Sequence, residues 1–247
     1  MTAQAAHPPA VGAEAPDRRR SLKLLHLSDS HLRFDPGGEA ETAFERALRL
    51  ADDPGIEVVL FTGDLFDHGR VAEEHLVWVA ACLSRLDKPV VMLPGNHDLS
   101  AWPRFDPARR CPNVHLISAQ EGQTVRLDEV GVVIWARAME EHEPDFRPLQ
   151  GLPAVDPDMW CIAAAHGLVV DEEGSSRASP ITPGDLSQVD WDCVMLGHVH
   201  EYRHVSHSPV PAWYAGSTFG LWPAAGGAVI VEFDPGRPPR PEWTTGR

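Results

Sequence analysis

The chain has 247 residues, of which 36 are acidic and 21 are basic, so its formal net charge at pH 7 is −15. That length suits one large domain or two small ones and is ample for a substantial core. An acidic excess of this size argues against a protein that binds nucleic acid through its general surface charge. No apolar run reaches about 18 residues, so the sequence predicts no membrane-spanning helix.

The four cysteines are far apart and form no C-x-x-C pair. This spacing argues against cysteine-rich zinc modules and redox motifs, and it predicts free thiols in a reducing cytoplasm. The cysteines are Cys82, Cys111, Cys161 and Cys193.

Composition divides the chain into a central domain and two tails. Residues 1–20 are rich in alanine and proline without an apolar period, which predicts a disordered tail. Residues 21–234 form the predicted domain, and residues 235–247 form a proline-rich tail that we expect to be irregular.

Apolar strands alternate with helical segments in the first half of the domain. The pattern predicts strands at residues 22–27, 56–61 and 89–93, and helices at residues 39–51 and 72–86. This βαβαβ order predicts a sheet with crossover helices on its faces.

The second half is richer in strands, with one long connection at residues 171–189 that has room for a short helix. Two sheets packed face to face would accommodate this order. We therefore predict an α/β fold, a four-layer α-β-β-α sandwich of two mixed β-sheets flanked by helices. The predicted strands lie at residues 114–117, 124–127, 131–135, 160–166, 193–196, 201–205, 212–215 and 228–233.

Five of the apolar strands end in clusters of side chains that can bind metal. Strand ends converge at one edge of a sheet, which is where open α/β folds build their sites. The clusters are Asp29-Ser30-His31, Gly63-Asp64-Leu65-Phe66-Asp67, Gly95-Asn96-His97-Asp98, His166-Gly167 and Gly197-His198-Val199-His200.

The chemistry of these clusters favours a catalytic metal site. Imidazole with carboxylate suits manganese, iron or zinc, and the lack of cysteine argues against structural zinc. Asp-x-His and His-x-His place two side chains on one face of an extended segment, so both can reach the same ion. The donors suffice for two ions with one bridging carboxylate, an arrangement that hydrolyses phosphate esters.

The order D-x-H, G-D-x-x-D, G-N-H-D, a lone histidine and G-H-x-H resembles the calcineurin-like metallophosphoesterase superfamily over about residues 22–233. The resemblance implies two ligand sets joined by one bridging residue, Asp64. The first set is Asp29, His31 and His200, and the second is Asn96, His166 and His198.

Two further residues gain roles from the same resemblance. His97 matches the histidine that protonates the leaving group. Asp67 matches a carboxylate that pairs with that histidine in the protein-phosphatase branch. Asp98 remains open between a turn or capping role and a catalytic one. Arg33 and His68 follow metal motifs and are candidate substrate contacts, Arg33 through bidentate binding of phosphate.

The substrate is less closely defined by the sequence. The chain resembles small bacterial phosphodiesterases and SbcD-like nucleases, and we favour a phosphodiesterase of small or nucleotide diesters that acts in the cytoplasm. A nuclease is disfavoured by the charge and by the little chain left for a DNA-binding cap. A phosphomonoesterase and a non-catalytic metal-bound scaffold remain as alternatives. No membrane partner is expected, and the oligomeric state stays open.

Overall fold

Two six-stranded sheets packed face to face form the centre of the fold. The computed structural model describes residues 19–105, 110–139, 145–170, 179–205, 208–220 and 225–246. In chain order the strands are β1 Leu22–Leu27, β2 Ile56–Thr62, β3 Val90–Leu93, β4 Val114–Leu116, β5 Gln123–Leu127, β6 Val132–Ala136, β7 Trp160–His166, β8 Leu168–Val169, β9 Pro180–Ile181, β10 Cys193–Gly197, β11 Arg203–His204, β12 Ala212–Tyr214, β13 Ala228–Phe233 and β14 Arg240–Thr244.

Helices between the strands of the first sheet lie on its outer face, and a short helix lies on the outer face of the second sheet. They are α1 Glu39–Leu48, α2 Glu73–Ser84, α3 Trp102–Phe105 and α4 Pro183–Ser187, with 3₁₀ turns at Arg49–Asp52 and Leu99–Ala101. Helix α1 buries alanine, phenylalanine and leucine side chains on one face, as its sequence pattern predicts. Helix α4 begins with a capping box between Thr182 and Asp185.

The first sheet has the order β14-β13-β1-β2-β3-β4, and the second has the order β11-β12-β10-β7-β6-β5. Strands β1 to β4 are parallel to one another, and so are β6, β7, β10 and β12. Strands β13 and β14 run antiparallel to their neighbours, as do β5 and β11. Both sheets are therefore mixed, as predicted, and the short strands β8 and β9 form a separate pair.

Alternating side chains divide the core into layers. In β1, Leu24 packs between the two sheets, whereas Leu25 packs against the helices on the outer face. A third cluster covers the outside of the second sheet, where α4 contributes Leu186. The predicted four-layer sandwich is confirmed, although among the described residues the fourth layer consists of this five-residue helix, the short β8–β9 pair and irregular segments.

The expectation that residues 235–247 are irregular is wrong. Strand β14 pairs with β13 along five residues, with Pro241 opposite Val231. Because β14 is an edge strand, the missing amide hydrogen of a proline costs no hydrogen bond on its outer side. Proline-rich composition therefore did not prevent strand formation here.

The boundary of the N-terminal tail also differs from its predicted position. Arg19 forms an ion pair with Asp192 at 2.6 Å, and Arg20 forms one with Glu57 at 2.7 Å. These two residues are part of the folded domain, and the rest of the predicted tail, residues 1–18, lies outside the described residues. All four cysteines are free, as predicted, and all four are buried. Within the described residues no helix is long and apolar enough to cross a membrane.

Candidate metal centre

The five ligand-type clusters meet because their strands end at one edge of the two sheets. Strands β1, β2 and β3 bring three clusters from the first sheet, and β7 and β10 bring two from the second. The junction needs close backbone approach at Gly197, where a Cβ atom would overlap the carbonyl oxygen of Thr62 and the hydroxyl of Ser28. The sheets are thus joined tightly at this edge.

Four of the proposed ligands have left-handed backbone conformations, which non-glycine residues rarely adopt. The φ angles are 50° at Asp29, 44° at His31, 52° at Asp64 and 96° at His198. Main-chain hydrogen bonds hold the strained segments, including one of 2.9 Å from the Asp29 amide to Gly63 and one of 3.1 Å from the His31 amide to Asp64. The surrounding fold therefore imposes these conformations.

The first predicted ligand set, Asp29, His31 and His200, is assembled. The Nε2 atoms of the two histidines lie 3.1 Å apart, and Oδ1 of Asp29 lies 3.5 Å from Nε2 of His200. The same oxygen lies 3.9 Å from Nε2 of His31. Asp29 and His31 are buried, whereas the His200 side chain is 34% exposed, so this cluster opens to solvent on the His200 side.

The second predicted ligand set, Asn96, His166 and His198, is assembled beside it. The amide oxygen of Asn96 lies 3.0 Å from Nε2 of His166 and 3.0 Å from Nδ1 of His198. His166 is fully buried, and the other two residues are partly exposed. Both ligand sets therefore combine one buried histidine with one at the surface.

Asp64 lies between the two sets, as the predicted bridging residue should. Its Oδ2 atom is 3.3 Å from Nε2 of His166 and 3.8 Å from Nε2 of His31. Its other oxygen accepts a hydrogen bond of 2.9 Å from the amide of His97. One carboxylate oxygen is thus held by the backbone while the other faces both ligand sets.

The donor chemistry fits metal ions. Nδ1 of His166 donates to the carbonyl oxygen of Thr62 at 2.8 Å, which leaves the lone pair of neutral His166 on Nε2. That lone pair faces oxygen atoms of Asn96 and Asp64. Three hydrogen-bond acceptors therefore face one another with no hydrogen atom between them. A cation satisfies such a set, because neutral imidazole and carboxylate are the ligands that zinc, manganese and iron bind.

The pKa values of Asp29 and His166 also indicate that this site favours positive charge. Burial raises the pKa of Asp29 to about 7, with His166 opposing the rise and the charge of Asp64 adding to it. Burial alone would lower the pKa of His166, but the charge of Asp64 and its hydrogen bond raise it to about 9. Without metal the centre therefore holds protons, which metal ions displace when they bind.

His97 and Asp67 are neighbours, but their contact differs from the expected pairing of side chains. Nδ1 of His97 donates to the main-chain carbonyl oxygen of Asp67 at 3.0 Å. The Asp67 carboxylate instead lies 3.4 Å from Nδ1 of His31. His97 is exposed, and its ring packs edge-on against His31 with the ring centroids 4.8 Å apart. A main-chain contact therefore replaces the expected one.

The two candidate substrate contacts differ in how they are held. Nε of Arg33 lies 3.6 Å from the Asp67 carboxylate, and its guanidinium carbon lies 6.0 Å from the centroid of the Phe219 ring. Its side chain is 39% exposed beside the first ligand set. His68 is exposed on the loop after Asp67 and belongs to none of the ligand clusters found among the described residues.

Asp98, whose role the sequence left open between capping and catalysis, has a structural role. Its carboxylate is fully buried and accepts hydrogen bonds from the amides of Leu65 (2.7 Å), Phe66 (3.2 Å) and Gly95 (3.0 Å) and from Nε1 of Trp102 (2.9 Å). These bonds cross-link the loops that carry the proposed ligands after β2 and β3. Asp98 supports the centre from behind and does not face it as an acid or base.

Ser217 and Thr218 support the loop after β1, a role that the sequence pattern does not indicate. The hydroxyl of Ser217 donates to the carbonyl oxygen of Asp29 at 2.6 Å, and that of Thr218 lies 2.7 Å from the hydroxyl of Ser30. All of these side chains are buried. The available signal was Gly216, whose φ of 77° allows the tight turn before them, but a single glycine does not indicate the role of the residues after it.

Comparison with known proteins gives two groups of relatives. The chain is 21% identical over 198 residues to the 3′,5′-cyclic adenosine monophosphate phosphodiesterase CpdA of Haemophilus influenzae, covering 73% of this chain and 70% of that protein. It is 26% identical over 213 residues to the DNA double-strand break repair protein Mre11 of Haloferax volcanii, covering 79% of this chain and 45% of that protein. The chain thus spans less than half of that Mre11 relative.

Solved structures share the fold. The crystal structure of TT1561 of Thermus thermophilus superposes with a TM-score of 0.60 at 13% identity, covering 92% of this chain and 99% of that chain. The structure of an archaeal phosphodiesterase gives a TM-score of 0.51 at 14% identity, covering 90% of this chain and 100% of that chain.

Residues 22–202 match the model of the calcineurin-like phosphoesterase family, and this match includes every proposed metal ligand. Because it extends over well more than half of the chain, the protein belongs to the calcineurin-like phosphoesterase family.

Proposed function

We propose that the protein is a phosphodiesterase that uses two metal ions to hydrolyse small or nucleotide diesters. The observation that carries the proposal is the position of Asp64, whose Oδ2 atom lies 3.3 Å from His166 in one ligand set and 3.8 Å from His31 in the other. Two ligand sets that share one carboxylate are the arrangement expected of a dinuclear site for phosphoester hydrolysis.

The proposed ligands divide between two ions. One ion would be held by Asp29, His31 and His200 and the other by Asn96, His166 and His198, with Asp64 contributing to both. Two such ions, when bound, activate a water molecule and neutralise the charge that develops on the phosphoryl oxygens. The mixture of imidazole, carboxylate and amide oxygen favours manganese, iron or zinc.

The chain supplies a proton donor and an anion contact next to these ligands. His97 would protonate the departing oxygen, since its Nδ1 atom is engaged by the Asp67 carbonyl and its Nε2 atom remains for substrate. Arg33 would orient the phosphoryl group through its guanidinium. His68, exposed on the neighbouring loop, stays a prediction as a substrate contact.

A diester substrate is supported by the comparisons. CpdA is named as a phosphodiesterase of a cyclic nucleotide, and it is matched along 70% of its length. The net charge of −15 disfavours a long polyanion, because extended nucleic acid is held mainly by basic surfaces. A small diester with one negative charge requires only the local positive charge of the metal centre and Arg33. A cytoplasmic location stays a prediction.

A nuclease is the second candidate, because two relatives are DNA double-strand break repair proteins. The chain is 26% identical to Mre11 of Haloferax volcanii and 24% identical to Mre11 of Methanosarcina mazei. It spans 45% and 34% of these two proteins, so the likeness concerns only part of each.

One substrate panel separates these functions. Metal-free protein would be reconstituted with Mn²⁺ and assayed with bis(p-nitrophenyl) phosphate, p-nitrophenyl phosphate, 3′,5′-cyclic AMP and linear DNA. We expect the two small diesters to be hydrolysed faster than the monoester and the linear DNA, and Asp64→Asn to show no hydrolysis. Asp158→Asn, which removes an exposed carboxylate away from the centre, should retain wild-type rates.

The proposal fails if another class of substrate is preferred. Faster hydrolysis of DNA than of either small diester would favour the nuclease, and faster hydrolysis of the monoester would favour a phosphomonoesterase. Binding of Mn²⁺ without turnover of any substrate above the Asp64→Asn level would indicate a metal-bound scaffold.

A further inference from the structure

We propose that Asp67 is a positioning residue that connects a metal ligand to a phosphate-binding arginine. Its carboxylate would steady His31 and Arg33, while its main chain orients His97. The inference rests on the proposed function, because it assigns His31 to a metal ion and Arg33 to a phosphoryl group.

The two polar ends of Asp67 serve different neighbours. Its carboxylate oxygen Oδ1 lies 3.4 Å from Nδ1 of His31 and 3.6 Å from Nε of Arg33. Its carbonyl oxygen accepts the hydrogen bond from Nδ1 of His97, and its amide donates to the carbonyl of Leu32 at 3.2 Å. Replacing the carboxylate therefore leaves the contact with His97 in place.

His31 has a nitrogen that needs this carboxylate. Its Nε2 atom faces the ligand set, whereas its Nδ1 atom is buried and has no hydrogen-bond partner among the described residues. A histidine that binds metal through one nitrogen commonly donates the other N–H to a carboxylate, which fixes the tautomer and the ring. The carboxylate of Asp67 faces Nδ1 and can take this role with a small rotation.

Arg33 is held from two sides. Oε1 of Glu41 accepts the amides of Arg33 at 3.0 Å and of Phe34 at 2.7 Å, and it stabilises the left-handed φ of 58° at Phe34. The Phe34 ring stacks on His75 with ring centroids 3.8 Å apart. The backbone of Arg33 is therefore fixed, and its side chain is directed by Asp67.

The contact with Asp67 leaves most of the guanidinium available. Arg33 approaches the carboxylate through Nε at 3.6 Å, so its two terminal nitrogens can be presented to phosphate. The 39% exposure of the Arg33 side chain is consistent with such a contact. Asp67 thus sets the distance between the anion-binding group and the first ligand set.

Metal binding tests the first half of the inference without an activity assay. Metal-free wild type, Asp67→Asn and Asp67→Ala would be titrated with Mn²⁺ by equilibrium dialysis. We expect two Mn²⁺ sites in the wild type, and in both variants a loss of affinity of about 10- to 100-fold at one site only. Asp35→Asn, an exposed carboxylate on the loop after Arg33, is the charge-matched control and should bind like the wild type.

Phosphate binding tests the second half. Inorganic phosphate would be titrated as an inhibitor at saturating Mn²⁺, where both sites are filled in every variant. We expect weaker phosphate inhibition for Asp67→Ala and Arg33→Ala, and no further weakening when the two changes are combined. Additive losses would overturn the connection between the two residues, because independent sites add.

The outcomes also separate this inference from the proposed function. If Asp67→Asn bound both Mn²⁺ ions as tightly as the wild type and its rate depended more steeply on the leaving group, the carboxylate would act on His97 and the inference would be wrong. Equal weakening of both Mn²⁺ sites would overturn it as well. A wild-type protein without Mn²⁺ binding would instead contradict the proposed function.

Discussion

The Nδ1 atom of His166 donates a hydrogen bond of 2.8 Å to the main-chain carbonyl oxygen of Thr62, and this bond joins a proposed ligand of the second sheet to the end of a strand in the first. The hydroxyl of the same threonine lies 2.9 Å from Nε2 of His26, whose Nδ1 accepts from Nε1 of Trp213 at 3.2 Å. A chain of buried polar groups thus runs from the core between the sheets to the candidate metal centre. Each member is satisfied while His26 is neutral.

The first prediction concerns His26 and pH. Burial lowers the pKa of His26 to about 3, below its ordinary value of about 6.5 in an unfolded chain. As the pH falls below 6.5, the imidazole is protonated in the unfolded chain but stays neutral in the folded protein. Protonation therefore favours unfolding, and stability present above pH 6.5 is lost progressively as the pH falls toward 3. Between pH 7 and 4.5 we expect this residue to lower the free energy of unfolding by about 2 to 3 kcal/mol.

Denaturant unfolding of metal-free protein across this pH range measures that loss. His26→Gln should show a shallower decline than the wild type by about the same amount. His115→Gln, which changes an exposed histidine, should keep the wild-type slope. Parallel curves for wild type and His26→Gln would contradict the neutral, buried state of this histidine.

The second prediction concerns metal removal. Because metal ions bind the folded centre and the ligands separate on unfolding, Mn²⁺ should raise the melting temperature in a concentration-dependent way. Each tenfold excess over the dissociation constant adds about 1.4 kcal/mol. Asp64→Asn should lose most of this response and Asp158→Asn should keep it, as calorimetry with and without chelator would show. An equal response in both variants would argue against Asp64 as a shared ligand.

The third prediction concerns His97 as the proton donor. His97→Ala should bind Mn²⁺ normally but lose about 10²- to 10⁴-fold in rate on diesters with alkyl leaving groups. The loss should be much smaller for bis(p-nitrophenyl) phosphate, because p-nitrophenolate departs without protonation. Steady-state rates on the two esters provide the comparison within one protein. The same loss on both esters would assign His97 a role other than proton donation.

The fourth prediction concerns Gly95, which packs against Asp64. A Cβ atom at this position would overlap the carboxylate and the amide nitrogen of Asp64. We expect Gly95→Ala to cost about 1 to 3 kcal/mol in the free energy of unfolding and to weaken Mn²⁺ binding. At Gly37 the nearest atom to an added Cβ is 3.8 Å away, so Gly37→Ala should preserve both properties. Normal Mn²⁺ binding by Gly95→Ala would show that the loop can adjust.

The fifth prediction concerns Ser217, whose hydroxyl donates to the carbonyl oxygen of Asp29. Ser217→Ala leaves that buried oxygen without this donor, so we expect a loss of about 1 to 3 kcal/mol in stability together with weaker Mn²⁺ binding. Ser187→Ala removes a comparable bond of 2.8 Å at an exposed position and should change stability by less than about 0.5 kcal/mol. Chemical denaturation and equilibrium dialysis would compare the two variants, and equal effects would contradict a role for Ser217 at the centre.

Much of the fold could be predicted because its signals are local. Strands β1, β7 and β13 have the predicted bounds, since each is a mainly apolar run of the kind found in buried strands. The proposed ligands directly follow such runs, so their convergence at one edge could be inferred from topology alone. The assembly of Asp29, His31 and His200 agrees with that inference.

The remaining features depend on tertiary structure that a sequence pattern does not encode. Whether residues 240–244 form a strand depends on the free edge of β13, and proline composition gives no information about that edge. The direction of the Asp67 carboxylate depends on where His31 and Arg33 lie, which the G-D-x-x-D motif does not specify. Asp98 was ambiguous for the same reason, because the amides of Leu65 and Phe66 that it accepts come from a different loop.

At the proposed ligands with left-handed backbone conformations, the residue that metal binding requires differs from the residue that the backbone favours. At Asp29, His31, Asp64 and His198, glycine would adopt the observed backbone more easily than the residue present. Substitutions that relax the backbone at these positions would therefore favour the folded state while removing a proposed ligand. Selection for a more stable variant and selection for an active one should diverge at these four positions first.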